Sequence, residues 1–351
     1  MLAGVVAALL AACGSSSSGA GGRASGSGAS GGSGGSSSKV LIGYENNGAD
    51  PSMVSLGMGD FKKELGSGAS TQLFDSGPVA LGALASGSLQ FMCGIGLPPV
   101  LSALAKGVPL AVVWNQERYT NDAGIVVKAN SGITSLAGLK GKTVAIVTGS
   151  EASFELPTLL HNAGVPLSSV HQLNMSPPAM RSAWLTGQIS AAIVWDPVFD
   201  YLSSHGGRVL ATDAGLPPTA TSYNICVANK NYLSSHRQAA AEFAKAMQDG
   251  VAYWKSDPSA ALAVMEKEAG IDAATAKTEL AGYQIYDLSD QTTSQVLGAT
   301  AAAGSSSTAE SLLNNWKELY SQGFLTSKPP TSAAQYVDSA GDEAAVSGSG
   351  S

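Results

Sequence analysis

The chain is predicted to fold as an α/β protein of two lobes, each a mostly parallel sheet flanked by helices, with two segments crossing between them. Two observations lead there. Between residue 39 and about residue 214, short apolar runs alternate with helical patterns in two successive sets. Such alternation implies parallel strands covered on both faces by helices. Two further apolar runs, 124–127 and 222–228, lie where the sets join, which is where strands passing between lobes belong. The 351 residues suffice for two domains of ordinary size with sizeable cores.

Taken in order, Val40, Leu41 and Ile42 lie in a strand over 39–44; Asp50 then caps a helix that Pro51 opens and that runs to Leu65. A second strand, 71–74, leads through Ser76 and Pro78 into a helix ending at Gly87. A third strand spans 90–94, a third helix 98–106 and a fourth strand 110–114. The second set starts with a strand at 143–147 and a helix ending before Gly164. It continues with a strand at 170–173, a helix at 177–187, a strand at 191–195, a helix from Pro197 and a strand at 209–211. The crossings fall near 120–123 and 215–223. Residues 231–322 read as helical, with amphipathic runs at 239–254 and 311–320 that pack back on the first lobe. The division is therefore 39–122 for the first lobe, 123–216 for the second, 217–338 for the return to the first, and 339–351 for a small, polar, disordered tail.

Composition excludes several classes. There are 19 Lys and Arg against 26 Asp and Glu, a formal charge of −7, the wrong sign for a binder of phosphate backbones, so no nucleic-acid partner is expected. No apolar run reaches the length of about 18 residues that a membrane-spanning helix needs. Three Cys cannot make a disulfide scaffold. His161, His171, His205 and His236 show no metal-ligand spacing, and H-E-x-x-H does not occur. No metal, cofactor or catalytic residue is assigned, and the protein is read as a non-enzyme.

Residues 2–12 are an apolar run of signal-peptide length, ending in Leu10-Ala11-Ala12-Cys13. The string resembles a bacterial lipobox, in which the Cys is lipidated and becomes the mature N-terminus. No Lys or Arg precedes the run, a departure from that pattern. Residues 14–38 are Gly, Ser and Ala apart from Arg23, too poor in apolar surface to offset ordering entropy, and read as a flexible tether.

From Lys39 to about Pro330 the chain resembles the solute-binding proteins of ABC importers, nearest to the taurine, aliphatic sulfonate and nitrate branch. The resemblance rests on Ile42-Gly43-Tyr44-Glu45 with Asp50-Pro51, on Phe74-Asp75-Ser76-Gly77 with Ala83-Leu84-Ala85-Ser86-Gly87, and on Gly107-Val108-Pro109-Leu110. It rests further on Leu139-Lys140-Gly141-Lys142-Thr143-Val144-Ala145 and on Asn174-Met175-Ser176-Pro177-Pro178-Ala179-Met180. Ala183-Trp184 and Val194-Trp195-Asp196-Pro197, which follow in order, look most like taurine-type proteins. The resemblance implies a type II periplasmic-binding-protein-like clam, a monomer that captures a small ligand between its lobes and docks on membrane permease subunits. With Cys13 lipidated, it would be held at the outer face of a bacterial cell membrane.

Ligands of open α/β sheets sit beyond the carboxyl ends of the strands. That selects the loops 45–50, 94–98, 148–153, 174–177 and 195–196, with 117–122 and 221–224 bordering them. Candidate ligand contacts are Asn46, Asn47, Asp50, Gly96, Leu97, Thr148, Gly149, Ser150, Ser153, Trp195 and Asp196. The segment Thr148-Gly149-Ser150-Glu151-Ala152-Ser153 offers N–H groups and hydroxyls at a helix start, a cradle for a sulfonate. Glu151 puts a negative charge beside it, and Pro157 delays the helix start. Asp196 either pairs a ligand ammonium or caps the helix at Pro197; Trp195 either walls the pocket by cation–π contact or joins the core. Asp50 carries the same ambiguity. Ile95 and Leu97 stand where related proteins carry hydroxyl residues, and Arg118 and Arg181 are the Arg residues placed near the cleft. The ligand is therefore read as taurine or another aliphatic sulfonate, or alternatively nitrate, a thiamine-pyrimidine precursor or another small organic nitrogen compound. An enzyme on the same fold would have Glu45, Asp50 and Asp196 as its acids. Cys93 and Cys226 fall on neighbouring strands, and two buried free thiols are expected because cross-strand disulfide geometry is demanding.

Overall fold

Two sheets carry the chain. The computed structural model describes residues 39–119, 121–216, 222–299 and 306–348, all within the unit Ser37–Ser351. The lipobox-like Cys13, the segment 14–38, Thr120 and 217–221 lie outside the described residues.

The first lobe opens with β1 (Val40–Tyr44), α1 (Pro51–Met58), α2 (Asp60–Leu65) and β2 (Ala69–Leu73). It continues with α3 (Gly77–Ser86), β3 (Phe91–Ile95), α4 (Leu97–Ala105) and β4 (Leu110–Tyr119). The second lobe holds β5 (Ala123–Lys128), β6 (Thr143–Ile146), α5 (Ala152–Asn162), β7 (His171–Asn174), α6 (Pro177–Leu185), β8 (Ala191–Trp195), α7 (Val198–Ser204) and β9 (Gly207–Thr212). The return brings β10 (Ser222–Asn229), α8 (Lys230–Ser235), α9 (Arg237–Ser256), α10 (Pro258–Ala269), α11 (Ala273–Ala281), β11 (Gln284–Ile285) and α12 (Leu288–Gln291). Helices α13 (Ser307–Ser321) and α14 (Ala340–Gly348) follow.

The first sheet has the order β11-β4-β10-β3-β1-β2 and the second β7-β6-β8-β5-β9. In the first, β1 to β4 run one way; in the second, β6 to β9 do. The strands that oppose them are β5 and β10, where the chain has just crossed, and the two-residue β11. The crossings run side by side. Tyr119 at the end of β4 pairs with Ser222 at the start of β10, and Gly124 of β5 pairs with Thr212 of β9. Asn121, between β4 and β5, takes a left-handed conformation (φ 69°). Its N–H donates to Asp213 Oδ1 at 2.6 Å, which pins the turn.

Each sheet is covered on both faces. In the first lobe, Leu84, Leu101, Leu312 and Trp316 pack on one side, and Phe61, Phe243 and Met247 on the other. Phe91 stacks on Phe243 with ring centroids 4.4 Å apart. In the second lobe Leu156 and Leu160 cover one face, and Met180, Trp184 and Leu202 the other. Among the described residues no helix is long and apolar enough to cross a membrane.

Four local expectations need correction. The helix predicted over 51–65 is two helices, because Gly59 is left-handed (φ 78°) and ends the first. Pro157 lies inside α5 rather than delaying its start. Cys93 and Cys226 form a disulfide, not two free thiols. A register shift between Ile225 and Val227 of β10 against β3 leaves their Cα atoms 4.0 Å apart. Finally, the tail expected to be disordered contains α14, whose Asp342 and Ala345 are buried. Its small residues, read as a sign of disorder, are what let it lie against α9: a Cβ on Gly341 would meet Ala240 at 2.6 Å.

Candidate functional site

The carboxyl ends of the strands face a cavity of about 30 Å³ between the two sheets. Its walls come from both lobes. Glu45 and Asn47 follow β1, Gly94 and Gly96 surround the end of β3, Tyr119 ends β4, and Asn224 lies on β10. From the second lobe come Asp122 and Ala123 before and in β5, Ser150 to Ala152 and Glu155 at the start of α5, and Trp195 at the end of β8.

Backbone needs explain much of the loop chemistry. Gly94 is left-handed (φ 76°). Its N–H donates to Gln116 Oε1 at 2.6 Å and its carbonyl accepts from Asn47 Nδ2 at 2.7 Å. A Cβ on Gly96 would fall on the Glu151 carboxylate, so the absence of a side chain admits that carboxylate. Tyr119 then donates its hydroxyl to Glu151 Oε2 at 2.7 Å, joining the first lobe to the second.

The lining is acidic. Glu45, Asp122, Glu151 and Glu155 face the cavity, and no Lys, Arg or His does among the described residues. Burial pushes Glu45 up to about 8, opposed by a hydrogen bond from the Gly77 N–H and reinforced by the charge of Glu151. Burial likewise raises Asp122 and Glu155, with neighbouring carboxylates adding to both shifts. Glu45 Oε1 and Glu155 Oε1 are buried without a hydrogen-bond partner. Tyr283 donates to Asp122 Oδ1 at 3.0 Å. Beside the cavity, Asp196, Asp200 and Glu279 bring carboxylate oxygens within 4.8 Å of one another, a grouping that could hold a metal ion. Burial raises Asp196 to about 9 and Glu279 to about 8.

Comparison with known proteins places this fold in a family. Residues 77–261, more than half of the chain, match the NMT1/THI5-like family. The chain belongs to the NMT1/THI5-like family. Among individual proteins, it is 28% identical to the taurine-binding periplasmic protein of Escherichia coli over 219 residues, 62% of this chain and 67% of that protein. The alkanesulfonate-binding protein SsuA from Xanthomonas axonopodis pv. citri, solved with bound MOPS, superposes with a TM-score of 0.66 at 22% identity, covering 82% of this chain and 94% of that one. The desulfurization enzyme DSZB shares the fold at a TM-score of 0.60 and 12% identity, covering 89% of this chain and 100% of that one. The aligned segments span about two thirds of the length of the taurine-binding relative.

Within this member of the family, the sequence-derived candidates divide. Asn47, Gly96, Ser150 and Trp195 line the cavity. Asn46 does not; its Nδ2 donates to the Ala269 carbonyl at 2.7 Å. Asp50 is the cap of α1, accepting from the Ser52 N–H at 2.6 Å. Leu97 is buried in the core. The proposed anion cradle is largely occupied by its own loop. Thr148 N–H donates to Asn174 Oδ1 at 2.9 Å and Gly149 N–H to Ser153 Oγ at 2.8 Å. The hydroxyls of Ser150 and Ser153 both donate to the Val147 carbonyl. Asp196 accepts from the Asp200 N–H at 3.0 Å, belongs to the carboxylate trio and interacts with the lining residue Asp122, without lining the cavity itself. Arg118 and Arg181 also stay off the cavity lining; Arg181 lies 3.9 Å over the Tyr201 ring.

Sequence reasoning places Tyr119 only within a segment bordering the cleft, not as a candidate contact, and does not select Glu155. Tyr119 ends a strand that was drawn five residues too short. Glu155 lies one turn into α5, where Glu151 and Glu155 at i and i+4 share a helix face; that spacing was the available signal.

Proposed function

We propose that the protein is an extracytoplasmic solute-binding component of an ABC importer, which captures a small organic molecule in the cavity between its lobes and delivers it to permease subunits. The observation that carries this reading is the placement of the cavity: both lobes and the first crossing, at Asp122, contribute to its walls, so a solute held there is enclosed by lobe movement. A space of about 30 Å³ admits little beyond a water-sized group, so the lobes part for a solute to enter. Lipidation at Cys13, with 14–38 as tether and the body monomeric, belongs to the same proposal. The names of the relatives make taurine or another aliphatic sulfonate the first ligand class. A second reading, a small organic nitrogen compound, is favoured by the four carboxyl groups of the lining. Taurine satisfies both, because it carries an ammonium and a sulfonate. Catalysis is not part of the proposal, in keeping with the relatives named above as taurine-binding and alkanesulfonate-binding proteins.

The test is thermal unfolding of the protein against a panel of taurine, alkanesulfonates, nitrate, thiamine precursors and amino acids. A solute that binds the native state alone raises the midpoint by mass action and is recovered intact. A panel without any shift, or a solute that is consumed, would overturn the proposal.

A further inference from the structure

The lining of the cleft presents an electrostatic problem. Glu45, Asp122 and Glu155 line a small buried cavity, and no Lys, Arg or His side chain lines it among the described residues. The Lys ion pairs of the described residues engage Glu64, Asp249, Asp287 and Glu268, none of which lines the cavity.

Two of these acids are distinctive. Glu45 is 7% exposed and Glu155 is 3% exposed, and in each Oε1 has no hydrogen-bond partner. One follows β1 of the first lobe; the other sits on α5 of the second. An unmet buried acceptor costs free energy, and a buried carboxyl group that keeps its proton in the free protein ionises when a positive charge is placed beside it. A carboxyl group of this kind from each lobe, both lining one cavity, describes a site completed by a donor that carries positive charge.

The other walls indicate an organic donor rather than a bare ion. The Tyr119 and Trp195 rings border the cavity, and aromatic faces attract cations. Pro78, Pro99, Ala123 and Ala152 add apolar surface, which suits carbon and not a hydrated metal.

We infer that the cleft selects a small organic cation, whose ammonium group is shared between Glu45 of the first lobe and Glu155 of the second, and that it rejects solutes charged only as sulfonates. The inference rests on the solute-capture reading and sharpens it. Taurine is compatible through its ammonium; simple alkanesulfonates are not. Bridging carboxyl groups on opposite lobes also gives the cation a direct means of holding the lobes together.

The test is calorimetric titration of the full chain with probes of matched size: ethanolamine and choline as cations, taurine as a zwitterion, isethionate and propanesulfonate as anions, and calcium and potassium as inorganic cations. The expected result is saturable binding of at least one ammonium probe and none of the anions. Glu45→Gln and Glu155→Gln should each weaken that binding by roughly 30-fold or more, the scale for removing one partner of a buried charge pair, with the fold monitored by circular dichroism. If a variant fails to fold, the ammonium-to-sulfonate preference of the unmodified chain decides alone. Binding of the sulfonates in preference to the ammonium probes overturns the inference and leaves solute capture standing. Binding of calcium or potassium in place of the organic probes also overturns it. No binding by any probe overturns the inference and counts against the capture reading as well.

Discussion

Tyr119 of the first lobe donates its hydroxyl to Glu151 of the second at 2.7 Å, and Glu151 in turn occupies the space that Gly96 leaves open. This three-residue contact closes one side of the cavity. A single buried hydrogen bond contributes about 1 kcal/mol net, or about fivefold in an equilibrium constant. Tyr119→Phe should therefore weaken solute binding by about fivefold while leaving the midpoint of unfolding nearly unchanged, as read by titration calorimetry and a thermal melt. Unchanged affinity would show that the contact does not support the closed state.

Gly96→Ala makes the complementary prediction. Gly96 has φ −72°, so alanine is tolerated by the backbone, and its methyl group meets only the Glu151 carboxylate of the other lobe. The open form should fold normally, and the closed form should be lost. Small-angle scattering with saturating solute should show compaction in the wild type and none in the variant. Compaction in both would refute the assignment.

Stability should fall as pH rises across neutrality. Glu45 and Glu279 are raised to about 8 and Asp196 to about 9. The unfolded chain releases these protons near pH 4, so between about pH 5 and 8 the folded state binds more protons than the unfolded one. Stability then decreases with pH. The lowered carboxyls, such as Asp287 at about 2, act in the opposite sense but below this window. The ligand-free protein should melt several degrees higher at pH 5 than at pH 8. A melting point that rises over that interval would contradict the protonated cleft.

The disulfide closes a separation of 133 residues, which spans the whole second lobe. Replacing both Cys93 and Cys226 with Ser should cost roughly 2–5 kcal/mol, measured by denaturant unfolding. A loss below about 0.5 kcal/mol would show that the bridge does not constrain the unfolded chain.

Strand and helix alternation made the two-lobed architecture legible in the sequence, down to the crossings at β5 and β10. What escaped it was register and close approach. The disulfide depends on a shift within β10 that no composition reveals. Helix α14 depends on Gly341 meeting Ala240, where small residues signal contact rather than disorder. In the site, the rule that ligands lie beyond strand ends selected loops of which Asn47, Gly96, Ser150 and Trp195 line the cavity. It could not distinguish Asp50 and Asp196, which serve the backbone and a neighbouring carboxylate cluster, from Glu45 and Glu155, which face the cavity. That distinction turns on side-chain direction, which emerges only with the packed fold.

The central claim, capture of a small solute between the lobes, is tested most directly at Trp195, a neutral wall of the cavity whose replacement does not alter its charge. Titration calorimetry of the full chain and of Trp195→Leu, with whichever solute shifts the melting point, should give one site per chain in the wild type. The variant should bind at least tenfold more weakly. Equal affinity in both would place the solute elsewhere and contradict the account.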